Sequence, residues 1–142
     1  MSLDLNTARR IVSAAREHGR NDDLAALTVV VLDAGGHVIA AEREDGASIK
    51  RFEIAFGKAH GALALGMGSR AIMARAEQQA YFVTAVTSAV GGALVPVPGG
   101  VLILDEDDTT VGAIGISGDT SDSDEKACVA GITAAGFKPR VD

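Results

Sequence analysis

The sequence has no tryptophan, one tyrosine and four phenylalanines among 142 residues. A core with so few large aromatics has to be built from Ala, Val, Ile and Leu, with backbones brought close together. The 17 glycines and the long alanine runs agree with that. There is one cysteine, Cys128, which excludes an intramolecular disulfide and a Cys-based zinc site. Its simplest reading is a small buried residue on a helix. There is no basic excess: 13 Lys and Arg stand against 19 Asp and Glu, a net charge of −6. The basic residues are scattered, so a phosphate backbone would repel the chain, and no nucleic-acid partner is expected. No apolar run free of glycine and charge is long enough to cross a bilayer, so no membrane partner is expected. The polar start, MSLDLNTARR, lacks the apolar core of a signal peptide. A cytoplasmic protein is the resulting expectation. Hydrophobic residues at 47% and charged ones at 23% exclude a disordered chain. The length suits one domain, 1–142, with one core.

What is present is punctuated by glycine. Asp4 caps a first helix that runs to about Glu17 or His18 and buries Leu5, Ala8, Ile11, Val12 and Ala15 at helical spacing. Gly19 ends it. LTVVVL, Leu27 to Leu32, is apolar on both faces and reads as a central strand. The turn Asp33-Ala34-Gly35-Gly36 returns the chain as a second strand, His37 to Arg43. Ser48 caps a long helix from Ile49 to about Leu65, with Ile49, Phe52, Phe56, Ala59 and Leu63 as its core stripe. Gly66 and Gly68 break it, and Ser69 caps a short helix to about Gln78. Tyr81 to Ala89 is ambiguous. Its β-branched residues favour a strand while its spacing allows a helix, and it is read as helical or irregular. Gly100 to Leu104 and Thr110 to Ser117 form a second hairpin about Glu106-Asp107-Asp108. A last helix begins near Ser121–Asp124, with Asp122 and Glu125 in capping-box register, and ends at Gly136. Two hairpins among helices predict an α+β domain with one antiparallel sheet of about four or five strands.

The run Val95–Gly118 carries two glycine clusters, Gly99-Gly100 and Gly112, Gly115 and Gly118. Glycine at every third position of a strand forgoes side-chain packing, which implies that a ligand or another backbone comes close. It is not a Walker loop, because no Gly-Lys-Ser/Thr follows, and the spacing is not that of a Rossmann fingerprint. Lys58 lies off the core stripe of its helix among Ile54, Ala55, Gly61, Ala62 and Leu65. It is either an anion-binding or activated amine, or a lysine whose stem packs at a subunit contact and whose head reaches water. The turn Gly118-Asp119-Thr120-Ser121 offers backbone N–H groups to an anion, but Asp119, Asp122, Asp124 and Glu125 already supply the negative charge a helix start favours. Glu125 is the one able to turn inward as an acid or base. No two of His18, His37 and His60 have metal-ligand spacing, so no mononuclear metal site is expected. A haem needs only one or two axial ligands, which a symmetric assembly can draw from separate subunits.

Four segments together resemble the GlcG/HbpS-like family, also called the haem-degrading domain family, which includes the C-terminal domain of PduO-type proteins. They are LTVVVLDAGGHVIAAERED at Leu27–Asp45, FGKAHGA around Lys58, VPVPGGVLI at Val95–Ile103, and VGAIGISG at Val111–Gly118 followed by Asp124-Glu125. The resemblance covers nearly the whole chain. It implies a profilin-like α+β fold, a central antiparallel sheet with helices on both faces, and a homo-oligomer, often built from dimers. Members are described as haem-binding, haem-degrading or redox-sensing, or as accessory proteins of small-acid and diol metabolism. Asp33, Gly36, Lys58, Pro98, Gly99, Gly100, Gly112, Gly115, Ser117, Gly118 and Glu125 fall on motif positions. By resemblance to the PduO-type domain, His18 is the candidate haem ligand. The leading expectation is an oligomeric small-molecule-binding protein, with haem as the candidate cofactor near the glycine-rich strand at a subunit interface. There Asp33, Pro98, Gly99, Gly100, Gly115, Ser117 and Gly118 would meet the ligand. The alternative is an enzyme on a small carboxylate, with Lys58 polarising the acid and Glu125 moving a proton.

Overall fold

The structure, a computed structural model, describes residues 2–142. Among the described residues five helices and five strands follow in the order α1 (Leu5–Asn21), β1 (Thr28–Asp33), β2 (Val38–Arg43), α2 (Arg51–Leu65), α3 (Ser69–Gln78), α4 (Ala80–Ala89), β3 (Gly100–Leu104), β4 (Thr110–Ser117), α5 (Ser121–Ala134) and β5 (Lys138–Arg140). The sheet is antiparallel throughout, in the order β2-β1-β4-β3-β5. This is the α+β arrangement expected from two hairpins among helices. Among the described residues no helix is long and apolar enough to cross a membrane.

Strand alternation divides the core into two layers. Val29, Val31, Val101, Ile103, Ile114 and Ile116 face α1 and α5, meeting Ile11, Val12, Ala15, Ala127, Cys128 and Ile132. Val30, Leu32, Leu102 and Ala113 face the alanines Ala55, Ala59 and Ala62 of α2. A third cluster, Ile72, Val83 and Leu94, joins α3, α4 and the segment before β3. Small and branched aliphatic residues fill most of these layers, with Phe137 buried in the first.

Several local expectations are corrected. Asp4 does cap α1, its carboxylate accepting from Thr7 N at 2.8 Å, but the helix continues through Gly19 to Asn21. Gly19 is small because a Cβ there would lie 2.7 Å from Leu27 Cδ1. Ser48 does not cap α2; its hydroxyl accepts from Arg51 Nε instead, and the helix starts at Arg51. The buried face of α2 is Ala55, Lys58, Ala59 and Ala62 with two glycines; of the expected stripe Ala59 is buried and Phe56 and Leu63 pack against the core, while Ile49 and Phe52 do not. Ile49 is 87% exposed. The ambiguous segment is helical, as α4. The cap of α5 is Thr120, whose hydroxyl accepts from Ser123 N, rather than an Asp122/Glu125 box. The fifth strand, Lys138–Arg140, has no counterpart in the sequence expectation; it pairs along β3 at the sheet edge, where its proline is tolerated.

Candidate functional site

The glycine-rich run and Lys58 do come together, but inside the protein. Lys58 is 2% exposed. Its ammonium donates to Ile116 O at 2.9 Å and to Asp124 Oδ2 at 3.2 Å. The other Asp124 oxygen accepts from Asp119 N at 3.0 Å. Gly99 leaves room for the lysine head, since a Cβ there would stand 2.9 Å from Nζ. At Gly100 a side chain would overlap Lys58 O, at Gly115 Ala55 O, and at Gly118 Ala26 O. What comes close to these glycines is the chain's own backbone. Pro98, Gly99, Gly100 and Gly115 are all buried. Burial drives the Asp124 carboxyl above its ordinary range while the Lys58 charge opposes the rise. Burial likewise pushes the Cys128 thiol well up, and its Sγ meets Gly99 O at 3.4 Å. The cluster ties α2, β4 and α5 at one end of the β3–β4 pair.

Glu125 is one residue from this cluster but turns the other way. Its carboxylate takes Arg70 Nε at 3.0 and 3.1 Å, and Arg70 also holds Asp122. The two carboxylates raise the already high Arg70 pKa further. Lys58 and Glu125 therefore do not converge on a common space. Ser117 Oγ accepts from Arg51 Nη1 at 3.0 Å. Asp33 closes the β1–β2 turn: its Oδ1 accepts from Gly35 N and His37 N, both at 2.9 Å, and the His37 backbone bond leads in lowering its pKa. Asp33 and Gly118 stand at opposite ends of the long axis of the β1–β4 pair.

The histidines differ in what surrounds them. His37 is 81% exposed and leans on Asp33. His60 is half-buried; its Nδ1 lies 2.8 Å from Ala93 O and its ring stacks on Phe56. His18, in the last turn of α1, lines an open depression of about 430 Å3 with Asn21, Asp22, Asp23, Leu24, Ser123 and Lys126. Its Nε2 is 3.3 Å from Asp22 Oδ2. The depression forms because Gly118 packs against Ala26 and Asp119 accepts from Ala25 N at 2.8 Å, which sets the first turn of α5 beside the end of α1. Sequence reasoning misses Asp124 as the partner of Lys58. The two are 66 positions apart, and the only local signal is one acid too many for a plain helix start.

A family model described as "Haem degrading protein HbpS-like" matches residues 3–133. Among solved structures, a PduOC:heme complex superposes with a TM-score of 0.85 at 23% identity, over 96% of this chain and 97% of that one. A double mutant of HbpS from Streptomyces reticuli gives 0.81 at 26% identity, over 96% and 88%. A Klebsiella pneumoniae protein, ORFY, gives 0.83 at 22% identity, over 94% and 90%. No curated protein sequence matches the chain.

Proposed function

The chain belongs to the HbpS-like family of haem-degrading proteins, and from that premise we propose that it is a small-molecule-binding module whose ligand is haem, held at the depression headed by His18. The observation that carries this reading is a half-buried imidazole opening onto a space with one cation and one apolar side chain, Lys126 and Leu24. That set fits one edge of a haem. Asp22 Oδ2 lies 3.3 Å from His18 Nε2, so Nδ1 would be the nitrogen offered as a lone pair. Lys126 would offer a cation to a propionate and Leu24 an apolar contact to the ring. Bound haem would supply an iron centre able to exchange electrons or take a further ligand.

The rest of the lining, Asn21, Asp22, Asp23 and Ser123, is polar. One protomer therefore offers too little apolar wall for a macrocycle, and a second copy of the chain completes the site. Exposed Leu5, Val38, Ile49, Phe52 and Tyr81 supply apolar surface for self-association, and dimers are the simplest unit. The ligand would lie at the exit of the glycine-rich strand rather than on its face, since Gly118 leads into the turn that presents Ser123 and Lys126. The alternative, an enzyme acting on a small carboxylate through Lys58 and Glu125, has less support, because each side chain is already engaged by a partner within the chain.

With three histidines, the test is a single-histidine panel. A variant keeping only His18 (His37→Ala, His60→Gln) should show a saturable Soret shift on titration with hemin. Adding His18→Ala should abolish it. Equal responses from the two variants refute the reading.

A further inference from the structure

We propose that β2 is a docking edge for a second copy of the chain. The two β2 strands pair antiparallel about a two-fold axis at Ala41 and join two five-stranded sheets into one.

The sheet ends in β2 on one side and β5 on the other. The β5 edge is blunted: it is three residues, Lys-Pro-Arg, two of them charged and one unable to donate. β2 has six residues, no proline, and charge only at its last two, Glu42 and Arg43. Among the described residues no strand pairs along its outer side. The ladder shows which backbone groups are free. Glu44 N donates to Leu27 O, and Asp33 N to His37 O, both at 2.9 Å. Bonded and non-bonded pairs alternate in an antiparallel ladder, so Glu42 opposite Val29 and Ala40 opposite Val31 bond inward. Ala41 and Arg43 are left with N–H and C=O groups that point away from β1. Beyond the bulge at Ile39 the same holds for Val38, opposite Leu32.

The side chains agree with the backbone. Val38, Ala41 and Arg43 lie on the face of the sheet that carries α2, and all three are exposed. Among the described residues α2 packs over β1, β4 and β3 and leaves β2 uncovered on that face. Stacked rings of α2 flank the bare strand. Phe52 stacks on Phe56 at 6.0 Å and Phe56 on His60 at 5.3 Å. His60 lies against Gly36 in the turn that opens β2. At the other end Arg51 bonds Ser117, in the row Ser117, Thr28 and Arg43 that closes it. Docking along β2 takes Val38, 48% exposed, and Phe52, 39% exposed, out of water together.

Charge selects the occupant and its register. The strand carries one carboxylate and one guanidinium, so a peptide of one charge sign finds no matching row, while an antiparallel copy of β2 is neutral against it. An axis at Glu42 sets Glu opposite Glu, and an axis at Arg43 sets Arg opposite Arg. An axis at Ala41 brings the free groups of Ala41 to those of Ala41 of the partner subunit and sets Glu42 opposite Ala40 of the partner subunit. Of the three, only the last has no like charges face to face. This edge is separate from the His18 depression, which lies between α1 and α5.

The experiment uses the full chain without hemin, so its result and that of the haem reading are independent. Sedimentation velocity should show a wild-type dimer that dissociates on dilution. Ala41→Lys and Ala41→Glu, at an exposed position, should each keep the wild-type circular dichroism and weaken the dimer by at least about tenfold. An equal mixture of the two should dimerise again, since each charge then faces its opposite. Facing Cα atoms of a bonded pair stand about 5.5 Å apart, within disulfide reach. Ala41→Cys should therefore form a disulfide dimer under mild oxidation, while Tyr81→Cys, 74% exposed on α4, should not; Cys128 is buried and does not compete. A monomeric wild type, a dimer that both charged variants leave intact, or Ala41→Cys cross-linking no faster than Tyr81→Cys would overturn the proposal.

Discussion

Replacing Lys58 by methionine should destabilise the protein severely without touching any exposed surface. The Lys58–Asp124 pair is 3.2 Å apart, with side chains 3% and 1% exposed. At an effective dielectric of about 20, the Coulomb attraction at that distance is about 5 kcal/mol. Removing one member of a buried pair typically costs about 3–5 kcal/mol, because the other charge stays buried alone. Against a total stability of about 5–15 kcal/mol, that is a large share. In Lys58→Met the remaining carboxylate can escape only by taking a proton. The Asp124 carboxyl is already raised from 3.8 by burial, with the lysine charge opposing the rise. A raised acid holds its proton more tightly in the native state. Its contribution is therefore full below pH 3.8 and is lost as pH rises through the folded value. Deleting the lysine lifts that folded value and widens the window upward. Urea unfolding followed by circular dichroism should show Lys58→Met at least about 3 kcal/mol less stable than the wild type at pH 7. The gap should narrow at about pH 5, and Lys58→Met with Asp124→Asn should recover much of the loss at pH 7. A single variant within about 1 kcal/mol of wild type at pH 7, or a second substitution that adds its own loss, would refute a structural pair and return Lys58 to the candidates for chemistry.

Two further outcomes follow from the same packing. Gly115→Ala would drive a methyl into the Ala55 carbonyl, and soluble yield and urea midpoint should fall by the equivalent of at least about 3 kcal/mol. Gly46→Ala, at φ +90° with nothing within 4 Å, should cost only about 1–2 kcal/mol; equal losses at the two sites would contradict the backbone-contact reading. Thr28→Val removes a buried hydroxyl that has no hydrogen-bond partner, and thermal unfolding should show unchanged or higher stability, by about 1 kcal/mol; a clear loss would mean that the hydroxyl has an unseen partner.

The hairpins are legible in the sequence because their strands alternate or run apolar between turn residues, and Gly100–Leu104 and Thr110–Ser117 lie where the pattern puts them. The β5 strand is not, because Lys-Pro-Arg carries no strand signal and pairs only because β3 needs an edge partner. The glycine pattern is a true sign of close approach. What approaches, the carbonyls of Ala26, Ala55 and Lys58, depends on packing between segments far apart in the chain. The α2 stripe misleads for a related reason. Hydrophobicity favours the large residues, but only small ones let the helix settle on the sheet, so Phe56 and Leu63 pack at the edge of that layer and Ile49 and Phe52 are exposed. Lys58 is legible as unusual and not as paired, since its partner belongs to α5.

The central claim is that one protomer holds only part of a haem site and a second copy completes it. Sedimentation velocity of the protein with hemin, followed at both protein and Soret absorbance across a range of protein concentrations, tests this directly. Soret absorbance should travel with a dimer or larger species and fall away as dilution favours the monomer. Haem sedimenting with the monomer at undiminished occupancy, or with no protein species at all, would contradict it.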